Sequence, residues 1–179
     1  MGALVLADGE SSRLYRKAVR DKGIAVSIDA GTDDHRGPDR YTISAKLSEK
    51  GKVAEVDKLI DDEIALLAKD GPTDAEMAKV RTRLSASVIF GLQSNFARAE
   101  RLAAYELYWG DANLLNSELD KYLAVTKEAV AKATAKYLTK ARRSRVEVHP
   151  QEAKAADAKT EKSAPKADPK AATKSGGAK

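Results

Sequence analysis

No cysteine occurs in the 179 residues, so disulfides and thiolate metal sites are excluded and the redox compartment cannot be read. No apolar run approaches the roughly 18–20 residues that a membrane-crossing helix needs, and no membrane span is expected. The opening MGALVLADGE has a short apolar run without a basic leader, so it is not a complete signal peptide. ALVL reads as the end of a helix or strand stopped by Asp8-Gly9, and the chain is expected to begin inside an element. From Pro150 to Lys179 there is no Val, Ile, Leu, Met or aromatic residue. Such a segment cannot bury enough apolar surface to offset its chain entropy, and 150–179 is expected to be a disordered tail. Removing 151–179 should leave the melting temperature within about 1–2 °C, and limited proteolysis should clip this segment first.

What remains, 1–149, is enough for one compact domain with a core of its own. The tail carries seven lysines against four acids, while the whole chain is only +5. The basic character is thus largely a property of the tail. A folded part this near neutrality does not read as a nucleic-acid-binding domain.

The elements follow from pattern. Glu10-Ser11-Ser12 offers N-capping oxygens for a helix to about Lys22, with Leu14, Ala18 and Val19 on its apolar stripe and Gly23 ending it. Ile24, Val26 and Ile28 alternate with Ala25, Ser27 and Asp29, and Tyr41, Ile43, Ala45 and Leu47 alternate in the same way. Two strands with one apolar face each are expected, joined by a polar loop. Val53, Val56, Ile60, Ile64 and Leu67 mark one side of a long helix stopped by Gly71-Pro72. Thr73–Glu76 is a capping box, and Met77, Val80, Leu84 and Val88 follow it inward. Gly91 and Ser94 break that helix. The next places Phe96, Ala99, Leu102 and Tyr105 inward and ends near Trp109-Gly110. A short helical turn near 117–123 precedes a last helix capped by Thr126, with Val130, Thr134, Tyr137 and Leu138 inward. Arg145–Val148 alternates as a closing strand. The fold class is α+β: a small antiparallel-rich sheet with helices on one face.

Four segments in this order resemble a known family. SSRLYRKAVRDKGIAVSI is similar to the helix-to-strand passage in C-terminal domains of insulinase/pitrilysin-type metallopeptidases. KVAEVDKLIDDEIALLAKDGPTDAEMAKVRTRL resembles the helix pair that follows it there. VTKEAVAKATAKYL with VEVHP resembles the closing helix and strand. The resemblance covers about 4–149. It implies a half-domain of a clam-like chamber around unfolded peptides, incomplete here at its N-terminus. An open strand edge is then expected, with Ile24, Val26, Ile28, Ile43 and Leu47 at risk of exposure. It also implies a partner, a catalytic half-domain or subunit of the same family, in which zinc sits on an inverted His-x-x-Glu-His motif. A bacterial periplasmic parent is implied in the same way.

No site of that chemistry is expected in this chain, and no reaction of the isolated chain. His35 lies in DDHRGPD without a Glu or second His in reach. His149 opens HPQEA, where Ala153 stands in place of a second ligand and Pro150 bars the helix that would align them. In active members an Arg, and a Tyr seven residues later, hold the substrate backbone. Those places fall on Val19 and Val26. Arg20 is adjacent, turned by about 100° on a regular helix, so it could serve only across a one-residue gap; otherwise it is an ordinary charge at a helix C-terminus. There is no GxSxG, P-loop or GxGxxG. Asp33-Asp34 reads as loop and Asp61-Asp62-Glu63 as a solvated helix face. Phe96, Tyr105, Tyr108 and Trp109 read as core or domain contact, or as a peptide-stacking wall. The run Lys140–Arg145 reads as a solvated turn, with a phosphate site the rarer reading. The expected role is a non-catalytic, substrate-enclosing domain of a zinc metallopeptidase. The alternative is a free-standing interaction module, a use the fold has in core subunits of respiratory complexes.

Overall fold

A computed structural model describes residues 1–33, 37 and 39–149. ALVL lies within a first short helix, α1 (Gly2–Leu6), whose Val5 and Leu6 are fully enclosed. A second helix, α2 (Arg13–Tyr15), runs without a break into a π-helical turn over Arg16–Asp21. Ser12 has the extended backbone of an N-cap, but its side chain makes no capping bond and its buried Oγ finds no partner. The expected cap is therefore missing. Ser11 is engaged elsewhere, its carbonyl and Oγ accepting from Lys79 Nζ at 2.9 and 3.0 Å. Gly23 ends the passage with φ +62°, a conformation that side chains with a Cβ resist.

Strands β1 (Ala25–Thr32) and β2 (Tyr41–Leu47) form an antiparallel two-stranded sheet, with Ile28 opposite Ala45 and Ala30 opposite Ile43. The expected alternation fails at one place. Between Ala25 and Ser27 the register slips, so Ala25 faces Leu47 while Ser27 faces Lys46 and Val26 is left over. This bulge buries Ala25 and Ile28 and turns Val26 outward, where it is 56% exposed. Ile24 and Ile28, expected to be at risk of exposure, are covered because α1, α2 and the π turn all pack on β1. Ile43 and Leu47 are half-buried against the same core.

The long helix α3 (Val53–Asp70) is joined to α4 (Asp74–Gly91) by Gly71-Pro72-Thr73. The capping box is complete: Thr73 Oγ1 accepts from the Glu76 amide at 3.2 Å, and Glu76 Oε2 accepts from the Thr73 amide at 2.8 Å. The buried side of α3 is Val56, Leu59, Glu63 and Leu67. It lies slightly to one side of the expected stripe, leaving Ile60 and Ile64 half-buried. Met77 and Val80 of α4 complete the core. Helices α5 (Asn95–Trp109) and α6 (Leu114–Leu123) follow, and neither buries a single residue. Of the expected inward set on α5 only Tyr105 is half-buried. Phe96, Ala99 and Leu102 are exposed, because the helix meets α6 with a different side. The last helix, α7 (Lys127–Tyr137), is capped by Thr126 Oγ1 and packs on α3 through Val130 and Thr134. Tyr137, expected inward, is exposed under Lys136 and Arg142, which approach its ring to 5.0 and 6.0 Å.

The first compact unit is Met1–Arg143, and a second begins at Ser144. In its described part, 144–149, the expected strand Arg145–Val148 is absent. No ladder partner holds it, and Val146 and Val148 are exposed. Residues 150–179 lie outside the described residues.

Candidate functional site

The positions singled out for substrate contact all lie on the α2–β1 passage. Val19 is half-buried on the π turn and packs against the core. Arg20, one residue on, is solvent-facing: its Nη2 donates to Glu10 Oε2 at 2.8 Å, and its guanidinium lies 5.9 Å from the centre of the Tyr15 ring. That single bond leaves four of the five guanidinium N–H groups for another acceptor. A π turn holds one residue more than an α turn, which is the local geometry of a one-residue gap. The bulge at Val26 likewise inserts one residue into β1. Val26 offers only apolar surface outward. Seven residues after Arg20 stands Ser27, half-buried, which carries the hydroxyl that Val26 lacks. Neither irregularity can be seen in a sequence read by period alone, so Ser27 could not be singled out there.

Beside this passage an open cleft of about 610 Å³ lies between α2, α3 and the start of α4. Its walls are charged, and several of the charges are matched to one another. Arg13 makes a two-pronged bond to Glu76, Nε to Oε1 and Nη2 to Oε2, both at 2.7 Å, and Nη2 also donates to the Gly71 carbonyl at 3.2 Å. Lys127 Nζ meets Asp74 at 2.8 Å. Lys17 Nζ bonds Glu63, which is only 2% exposed. Glu63 is thus not part of a solvated face, as its acidic neighbours suggested. Asp61 is held by Arg143 at 2.6 Å and Lys140 at 3.1 Å, which ties the basic run to α3.

The Arg13 guanidinium, followed by the Thr73 amide and hydroxyl, holds the Glu76 carboxyl down to about 2. Its folded value lies below its unfolded one, so the stability it contributes is present above about pH 5 and fades as pH falls toward 2. Glu76→Gln should therefore lower stability at neutral pH by about 1–2 kcal/mol after solvent screening. It should also flatten the stability profile between about pH 5 and 2. Urea melts across that range check both.

Among the described residues no three His, Cys, Asp or Glu side chains are grouped to hold a metal. His149 is exposed, with Nε2 at 3.3 Å from Glu147, and His35 lies outside the described residues. These residues do not fit a zinc centre. Among the described residues, no helix is long and apolar enough to cross a membrane.

Residues 3–84, from α1 into the second half of α4, match the family model of the peptidase M16 inactive domain. This part of the chain is thus similar to a peptidase M16 inactive domain. An uncharacterized zinc protease of Streptomyces coelicolor is 29% identical to it over 132 residues, 73% of this chain and 28% of that protein. The uncharacterized zinc protease YmxG of Bacillus subtilis is 25% identical over 126 residues, 70% of this chain and 31% of that one. The chain spans only about 30% of the length of these relatives. The inactive peptidase domain of a zinc-protease candidate from Bordetella parapertussis shares the fold. Its TM-score is 0.73 over 84% of this chain and 81% of that one, at 21% identity. A protease from Helicobacter pylori matches with a TM-score of 0.71 at 21% identity, over 79% of this chain and 34% of that one. The resemblance carried by SSRLYRKAVRDKGIAVSI and the helix pair is thereby borne out.

Proposed function

We propose that this M16 inactive domain is a non-catalytic, substrate-enclosing wall of a peptide-degrading zinc metallopeptidase. It acts with a zinc-bearing half supplied by other residues or another chain. The match of residues 3–84 to the inactive-domain model carries this reading. The zinc-protease names of the relatives support it, as does their extra length, which leaves room for a catalytic half. Within it, Arg20 is the residue proposed to hold the substrate backbone. Its support is the π turn that absorbs a one-residue gap, its open position and its free donors.

The test is cleavage of an unfolded fluorogenic peptide by this chain, by a His-x-x-Glu-His polypeptide encoded beside it, and by the two together. The chain alone should bind no stoichiometric zinc and cleave nothing, and mixing should accelerate cleavage by at least about 100-fold. A charged hydrogen bond contributes about 1.5–3 kcal/mol, so Arg20→Ala should lower kcat/KM of the mixture by roughly 10- to 100-fold. Val19→Ala should change it little. Zinc-dependent cleavage by the chain alone, or no effect of mixing, would overturn the assignment.

A further inference from the structure

Helix α5 has two apolar sides and uses one. Its engaged side meets α6, where Arg101 Nη1 bonds Glu118 at 3.1 Å and Tyr105 is half-buried. On the other side Phe96, Ala99, Ala103 and Leu107 step by three, four and four residues, and all four are exposed. Phe96 is 77% and Leu107 75% open to solvent. That spacing is the seam of a helix packed against another helix. Small residues in the middle let a second backbone approach, and the large ones at either end would grip it.

The borders of the seam say what kind of helix fits. On a helical projection Glu100 flanks one edge and Glu106 the other. Glu100 forms no ion pair among the described residues, and Glu106 accepts from the Ala112 amide at 3.1 Å without a cation. The nearby cations are engaged by other partners: Arg101 bonds Glu118, and Arg98 bonds the Asn95 side chain. A second copy of this chain is a poor occupant. Packed seam to seam, parallel or antiparallel, two copies set acidic edge against acidic edge. A helix with basic edges meets attraction on both sides instead.

We propose that this side of α5 is the docking surface for an amphipathic helix of a partner protein, with an apolar seam bordered by lysine or arginine. The proposal does not depend on whether that partner holds zinc.

The full chain can be tested with two synthetic helical peptides of one leucine-alanine seam, one bordered by lysine and the other by glutamate. Trp109, the only tryptophan, ends α5 and lies exposed, so its fluorescence reports docking. The lysine-bordered peptide should bind with a Kd of tens of micromolar or below, at least about 10-fold tighter than its counterpart, and weaken with salt. Phe96→Gln with Leu107→Gln should weaken it by about 10-fold or more and leave the melting temperature unchanged, since both side chains are already in water. Glu100→Lys should narrow the preference between the two peptides. Equal binding of both peptides, no binding at about 100 μM, or binding indifferent to the Phe96 and Leu107 changes would overturn the proposal. Sedimentation showing a dimer that Phe96→Gln dissolves would also overturn it, by giving the seam to a second copy.

Discussion

Replacing Lys17 with methionine should lower stability by about 2–4 kcal/mol, because it strands an ionised carboxylate in the core. Glu63 is almost fully enclosed on α3, among Leu59, Leu67 and the α2 helix, and Lys17 Nζ is its hydrogen-bond donor. Removing the donor leaves a charge that water cannot reach. The expected loss is at the lower end of the range for buried pairs, since Lys17 itself is half open to solvent and screened in part. The converse change is milder. Glu63→Leu fills the space with apolar atoms and leaves an ammonium that can turn to water, so about 1 kcal/mol or less is expected. The double variant Lys17→Met, Glu63→Leu should recover most of the single loss. Urea midpoints of the four proteins give the coupling directly. A double variant no more stable than Lys17→Met alone would show that the pair is not what holds Glu63 in place.

The other large effect is expected from one methyl group. Gly51 sits in the turn between β2 and α3, where a Cβ would lie 1.9 Å from the Ile24 carbonyl oxygen and 3.0 Å from its carbon. That oxygen accepts from the Ser48 amide at 3.1 Å, closing the start of β1 onto the end of β2. No side chain can swing aside, because the obstacle is backbone. Gly51→Ala must open the turn and break that bond, at about 3 kcal/mol or more. Gly91→Ala is the matched control. It ends α4 with nothing within 4 Å of the added methyl, and should be neutral or stabilising by up to about 1 kcal/mol. Thermal melts of the two variants should therefore move in different directions or by very different amounts.

The helices were legible because their signals are local. Thr73 and Glu76 form the box that their spacing announces, and Gly71-Pro72 stops α3 where expected. Irregularities that add one residue were not legible. The π turn at Arg16–Asp21 and the bulge at Val26 each shift side chains relative to a strict period, and a strict period is all that pattern reading tests. The same two places decide where Arg20 and Val26 point. Glu63 was hidden by Asp61 and Asp62, since three adjacent acids look like a solvated face until a cation 46 positions away is known to reach the third. The apolar content of α5 was plain in the sequence, but it does not say which side another element covers.

Helices α3 and α7 pack on each other in the core, while α5 and α6, which lie between them in the chain, add no fully buried residue to it. Because α5 and α6 enclose no residue fully, lifting them away exposes only half-buried side chains, Tyr105, Leu114 and Leu115 among them. Their amide protons can then trade with solvent through a partial opening, long before the central helices come apart. Val130 and Thr134 report the opposite limit, released only when the whole core is lost. Thus one chain holds a cooperative block and a loosely tethered excursion, and the excursion is the part that can reshape itself at low cost.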